Sequence, residues 1–265
     1  MTPRNAISLL ARTLLEPFSM RLVNLRPSKV RGIDPVRDLS VLTGRKPDPL
    51  IFDVGANDGE TVQEFLSAFP KANIVAFEPD EACCALLRRR FASPRVVVEN
   101  VAVGSGCGSV RLNQFSGNRL NSVLPLDQDP ENPMIHSFAQ IGSTDVKLQT
   151  LDGYAAEHNI GHIDILKSDT QGYELEVLRG ATRLLQAGLI RAVIVEVNFV
   201  PMYVRQASFI ELHTFLSSFG YRLVDFYNQV RIHGATDWCD ACYVAPSVPG
   251  VANAGNLRAS TSTGS

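Results

Sequence analysis

The stretch Asp53-Val54-Gly55-Ala56-Asn57-Asp58-Gly59-Glu60-Thr61 sets three carboxylates around two glycines, where an apolar run gives way to a helical pattern. Glycines at such a turn let the backbone bend sharply and approach a ligand closely. A dinucleotide turn would carry glycine at position 57 and seat a pyrophosphate on the following helix N-terminus. Here position 57 is Asn, and no Lys or Arg occurs from 50 to 70. A pyrophosphate is repelled by such a turn, whereas a ligand with ammonium and sulfonium charges is attracted. Glu78, 19 residues beyond Gly59, ends the next apolar run, where a carboxylate can accept both hydroxyls of a ribose. A glycine turn and a ribose acid without phosphate chemistry point to S-adenosylmethionine.

A second set of chemical groups ends two later apolar runs, "IDILKSD" and "VIVEVN". Asp169 is the first candidate for a general base toward a hydroxyl, or for orienting that hydroxyl, and Glu196 is the second. Lys167 lies two residues before Asp169 and faces the same side of a strand. An ammonium there holds the Asp169 pKa down, which favours orienting over proton abstraction. The competing role for Asp169 is to cap the helix that follows. A divalent cation would need Asp169 and Glu196 to converge with a third oxygen ligand; two carboxylates do not make that case, so no metal is assigned. Cys239 and Cys242 form a C-x-x-C, but residues three apart on a strand point to opposite faces and no second pair completes a zinc site. "GSGCGS" at 104–109 reads as a tight turn. Asp240, an odd charge for an inner strand, can reach back toward the site.

The elements that must position these groups alternate along the chain. Strand patterns at "LIFDV", "NIVAFE" and "RVVVEN" are separated by helical patterns over 60–69 and 81–91. A hairpin-like "GSVRLNQF", a Pro- and Asn-rich loop over about 116–142 and a strand "VKLQTL" follow. Strands at "IDILKSD" and "RAVIVEVN", a helix over 209–219 and two final strands, "YRLVDFYN" and "CDACYVA", complete the series. This predicts an α/β fold with a mostly parallel sheet, helices on both faces and an antiparallel pair at one end. Ligands on such sheets bind outside the carboxyl ends of the strands, which gathers the glycine turn, Glu78, residues 100–101 and Asp169 around one crevice.

With 265 residues and 45% hydrophobic composition, the chain reads as one domain over 48–245 with extensions at 1–47 and 246–265. Residues 1–31 hold six basic residues against one acid, Glu16, on an amphipathic pattern. The favoured reading is a helix docked on the domain; the alternative is a segment touching an anionic membrane surface. The small, polar tail over 246–265 is expected to be disordered. A net charge of −2 gives no electrostatic footprint for nucleic acid, and no apolar run reaches the length of a membrane span. Five cysteines without a framework read as reduced thiols of a cytoplasmic protein.

The segments "FDVGANDGET", "VAFEPDE", "VENVAVG", "TLDGYAAEHNIGHIDILKSDTQGYELEVLRGA" and "VEVNFVPMY", in order over about 48–245, resemble the FkbM-type methyltransferases, a family of S-adenosylmethionine-dependent O-methyltransferases. The resemblance implies a Rossmann-like class I methyltransferase sheet and acceptors that are often hydroxyls of sugars or polyketide products. By position it implies Asp53, Gly55, Asn57 and Gly59 at the methionine moiety and ribose, Glu78 at the ribose, and Asn100 and Val101 at the adenine edge. Ala56, Thr61 and Pro79 complete the expected cofactor set. Acceptor contacts are expected from Asn121, Ser122 and His136 of the polar loop and from Gln171 and Asn198. Where many members of the family read D-x-E-G, this chain reads Asp169-Thr170-Gln171-Gly172. The expected activity is methyl transfer to a hydroxyl of a small molecule or glycan. A catalytically silent binding module, supported by Gln171, and a nicotinamide-dependent oxidoreductase, disfavoured by the acidic turn, are the alternatives.

Overall fold

A strand flanked on both sides in a parallel sheet buries both faces, so it reads as a short continuous apolar run. The computed structural model describes residues 34–127, 138–232 and 234–248. The described chain begins with α1 (Pro35–Leu42), β1 (Leu50–Val54), α2 (Glu60–Ala68), β2 (Asn73–Phe77), α3 (Glu81–Arg90) and β3 (Val96–Glu99). Short β4 (Ala102–Val103), β5 (Gly108–Phe115), β6 (Gln140–Gln149) and α4 (Leu151–Glu157) come next. The remainder is β7 (Ile163–Ser168), α5 (Glu174–Arg179), α6 (Thr182–Gln186), β8 (Ile190–Asn198), α7 (Phe209–Ser218), β9 (Arg222–Val230) and β10 (Trp238–Val244). The basic segment 1–31, His136 and residues 249–265 lie outside the described residues.

The main sheet has seven strands in the order β3-β2-β1-β7-β8-β10-β9. β1 pairs in parallel with β2 and β7, and β8 continues the parallel run beyond β7. The strand order reverses between β1 and β7, so the crevice expected of an open α/β sheet opens at their carboxyl ends. The antiparallel end foreseen from the sequence is present, with one difference. The last strand, β10, inserts between β8 and β9 and is antiparallel to both. Its apolar stretch Ala241–Val244 is fully buried and suits an inner position, whereas β9 carries Arg222, Asp225, Asn228 and Gln229 and takes the edge.

Local signals place the helices. The Asp80 carboxylate caps α3 by accepting from the Ala82 and Cys83 N–H groups at 2.9 and 3.1 Å. Ser208 and Glu211 form a capping box on α7. Residues 34–47, grouped with the N-terminal extension in the sequence reading, in fact pack on the sheet domain. Leu39 and Leu42 of α1 are buried, Tyr227 donates to Asp38 at 2.8 Å, and Arg191 donates to the Leu42 carbonyl at 2.7 Å. Full burial of each such apolar side chain stabilises by roughly 1.5–3 kcal/mol.

A second, smaller sheet has the order β4-β6-β5. Its β5/β6 hairpin is longer than the sequence suggested, since β6 starts at Gln140 inside the expected loop. After β5 the chain folds back so that Asn113 bridges Ser122. All five cysteines are free of disulfides, and Cys239 and Cys242 are buried. Among the described residues no helix is long and apolar enough to cross a membrane.

Candidate active site

A cavity of about 360 Å3 opens at the carboxyl ends of β1, β2 and β7. Its first wall is the glycine turn. Gly55 has φ +84°, and a Cβ there would lie 1.9 Å from the Asp169 carbonyl oxygen, so glycine is required by the backbone that passes it. The Gly55 and Ala56 N–H groups donate to the Phe77 carbonyl at 3.0 and 3.2 Å, and the Asp169 N–H donates to Val54 at 3.0 Å. These bonds tie the turn to both neighbouring strand ends. Gly55, Ala56, Asn57 and Thr61 line the cavity.

Glu78 supplies the second wall. One carboxylate oxygen accepts from the Asn57 N–H and the other from the Asp80 N–H, both at 2.8 Å. Burial pushes its pKa up to about 7, against the pull of those N–H groups. Pro79 and Val101 line the cavity beside it.

Three residues expected at the cofactor, Asp53, Gly59 and Asn100, do not line the cavity, whereas Lys167 makes the pairing expected of it. Asp53 is fully buried, and its two oxygens accept no hydrogen bond among the described residues. Burial raises its pKa to about 6, with Lys167 opposing. Gly59 caps α2 at φ +84°; a Cβ there would meet Phe91 at 2.4 Å and Leu87 at 2.7 Å, so its glycine serves packing against α3. The Asn100 amide turns away and donates to the Glu78 and Pro79 carbonyls at 3.0 Å each, fastening the end of β2. Lys167 is buried and acts through Asp169, 2.9 Å away.

Asp169, Gln171, Glu196 and Asn198 meet at the opposite wall. The Gln171 amide nitrogen donates to Asp169 at 2.9 Å and to Glu196 at 3.1 Å, while its oxygen accepts from the Tyr203 hydroxyl at 3.0 Å. This orientation satisfies every group; the flipped amide would set an oxygen against two carboxylates. The Gln171 carbonyl accepts from Ser122 at 2.7 Å, and Gln171 itself has φ +56°. The residue that departs from the D-x-E-G pattern is therefore a clamp joining both carboxylates to the loop after β5.

The two carboxylates differ. Burial would raise the Asp169 pKa, but the Lys167 ammonium and the amide of Gln171 more than reverse this and hold it below the usual range. Glu196 goes the other way, pushed well above the usual range by burial, then by the charges of Asp169 and Glu174. Burial also works against the Lys167 charge, yet Asp169, Asp240 and Asp53 together keep its pKa high. Asp240, opposite Glu196 in the β8/β10 register, thus reaches back electrostatically to the site. Asp169 does not cap α5, whose N-cap is Tyr173 without a side-chain bond. Glu174 braces that turn instead, accepting from Thr170 N–H at 2.7 Å and Gly172 N–H at 3.1 Å.

Asp169, Glu174 and Glu196 each place an oxygen within 4.8 Å of the others. This is the convergence with a third oxygen ligand that a divalent cation would need; the Gln171 amide bridges Asp169 and Glu196, and one oxygen of Glu174 accepts from backbone N–H groups.

The third wall was only partly legible. Asn121 and Ser122 line the cavity as expected, but so do Arg119, Tyr173 and Trp238. Arg119 pairs with Glu60 at 2.8 Å and Asp58 at 3.1 Å. The turn that is purely acidic in sequence is thus partly neutralised in space by a residue some 60 positions away. Trp238 begins β10 two residues before Asp240, a period-2 relation that could have flagged it.

A mostly parallel sheet with a glycine turn and a ribose-type acid at its switch point defines a Rossmann-like α/β protein of class I methyltransferase architecture. The chain matches the Methyltransferase FkbM domain over residues 53–223 and belongs to that family. It is 30% identical over 146 residues to the 2-O-methyltransferase NoeI of Sinorhizobium fredii, covering 53% of this chain and 60% of that one. It is 29% identical over 174 residues to the methyltransferase sdnD of Sordaria araneosa, covering 56% and 66%. The chain therefore spans about two thirds or less of the length of these curated relatives. Among solved structures, the methyltransferase FkbM from Methylobacillus flagellatus aligns over 84% of this chain and 46% of its own, at 16% identity and a TM-score of 0.49.

Proposed function

We propose that this protein is an S-adenosylmethionine-dependent O-methyltransferase acting on a hydroxyl of a small molecule or glycan. One observation carries the reading: a carboxylate held basic, Glu196, is clamped by Gln171 beside an ionised one, Asp169, in the cavity that the glycine turn and Glu78 also line. The cradle fits the cofactor. The Gly55–Asn57 turn lines the cavity, Glu78 keeps lone pairs for ribose hydroxyls, and Val101 and Phe77 offer apolar surface for a base. When bound, S-adenosylmethionine supplies a methyl group activated on a sulfonium.

The rest is done by the chain's own groups. An aliphatic hydroxyl becomes a good nucleophile only as its proton leaves, and a base with a raised pKa is better matched to taking it. Glu196 fills that role, which reverses the order expected from sequence. Asp169, held ionised by Lys167, orients the hydroxyl by accepting a hydrogen bond. Asn198 donates to Glu196 at 3.1 Å and fixes its rotamer. Asn121, Ser122 and Trp238 bound the acceptor space. The similarity to the 2-O-methyltransferase NoeI supports a hydroxyl acceptor.

The test is transfer of labelled methyl from S-adenosylmethionine to a panel of glycosides and polyketide alcohols, with calorimetric titration of S-adenosylhomocysteine alongside. Transfer that is lost in Glu196→Gln while cofactor binding persists supports the proposal. Cofactor binding with no transfer to any acceptor turns the reading to a binding module, and binding of NAD in place of S-adenosylhomocysteine turns it to an oxidoreductase.

A further inference from the structure

Five carboxylates line the cavity, those of Asp58, Glu60, Glu78, Asp169 and Glu196, and Arg119 is the one cation among the lining residues. Arg119 sits in the short turn Asn118–Leu120, beyond β5 and far in sequence from the glycine turn it meets. Its side chain is 61% exposed, with one terminal nitrogen 3.1 Å from Asp58 and the other 2.8 Å from Glu60. A guanidinium has five N–H donors in a planar fork. Two contacts leave donors over, and the two acids pin the group at the cavity edge, beside Asn57 and Thr61.

The amino-acid end of S-adenosylmethionine carries an ammonium and a carboxylate. The ammonium is welcome beside Asp58 and Glu60. The carboxylate is not, since like charges repel at that range, unless a cation is at hand. We infer that Arg119 binds the carboxylate of the cofactor's methionyl end, while Asp58 and Glu60 orient the guanidinium for it. This rests on the cofactor assignment proposed above. It adds a coupling: Arg119 belongs to the loop that carries Asn121 and Ser122, so the bound cofactor holds the acceptor wall in place and the acceptor follows the cofactor.

Calorimetric titration of the full chain with S-adenosylhomocysteine and with its decarboxylated amine analogue tests this. A charge-assisted contact of this kind is worth about tenfold in affinity or more. The expected result is that the wild type prefers S-adenosylhomocysteine by about tenfold, and that Arg119→Ala removes most of this preference while leaving the amine analogue's affinity unchanged or higher. Arg119→Lys keeps part of it. Equal weakening of both ligands in Arg119→Ala, or no change in either, overturns the role of Arg119 and leaves the cofactor assignment standing. A wild type that binds neither nucleoside overturns the cofactor assignment and this inference together.

Discussion

The Lys167 ammonium lies 2.9 Å from the Asp169 carboxylate, two residues along the same face of the chain at the end of β7. That pairing divides the labour of the site. A buried lysine facing Asp53, Asp169 and Asp240 keeps Asp169 charged, and a charged Asp169 raises the proton affinity of Glu196 beside it. On the proposed function, this makes one carboxylate the orienter and the other the base.

Methyl transfer should rise as pH rises through the elevated pKa of Glu196, because the base acts in its deprotonated form. Asp169→Asn removes the neighbouring negative charge, lowers the Glu196 pKa and moves that rising limb to lower pH. Glu196→Gln should reduce kcat by at least about a hundredfold, the usual span for loss of a general base. Measured kcat–pH profiles decide it; a limb that stays put in Asp169→Asn would return the base role to another group.

Glu78→Ala should weaken S-adenosylhomocysteine binding by about 1–3 kcal/mol, the loss expected for charged hydrogen bonds. Glu78 also receives the Asn57 and Asp80 N–H groups on its two separate oxygens, so Glu78→Gln, which keeps the side-chain shape and one of the two acceptors, serves as a partial control for turn geometry. Titration at pH 8, where Glu78 is ionised, is the measurement, and unchanged affinity in both variants would refute the ribose contact.

Asp53→Asn should stabilise the protein at alkaline pH. A folded pKa of about 6 against an ordinary 3.8 means that the buried carboxyl favours folding below the ordinary value. That contribution is lost as pH rises through 6. The amide has no charge to desolvate, so its thermal unfolding should lose this pH slope, with a gain on the order of 2 kcal/mol at pH 8. A lower melting temperature at pH 8 would show that Asp53 earns its burial through Lys167.

Gly55→Ala should cost roughly 2–4 kcal/mol, the range for overpacking against backbone that cannot retreat, since the new methyl would fall 1.9 Å from the Asp169 carbonyl. Gly161→Ala, where a Cβ meets nothing within 4 Å, should be close to neutral. Thermal unfolding of the two variants side by side separates the close approach of the Gly55 turn to the Asp169 backbone from a general glycine effect.

Sequence alone determined the parts whose causes are local. Apolar pentads with glycine at their ends announce inner parallel strands, Asp80 and Ser208 announce helix starts, and Gly55 announces a close approach. The positions of Glu78, Asp169 and Glu196 at strand ends follow from the same periodicity, so the crevice itself was legible. Only the tertiary structure decided which of these groups face the cavity and in what state. Asp53, Gly59 and Lys167 share strands and turns with lining residues yet are buried beneath them, and Asn100 turns its amide onto the carbonyls that end β2. Gln171 reads as a lost carboxylate until its amide is seen bridging two others. Arg119 and Trp238 reach the cavity through a fold-back after β5 and a strand inserted between β8 and β9. Such contacts depend on which distant segments are brought together, and electrostatic energy depends on distance in space, which spacing along the chain does not record.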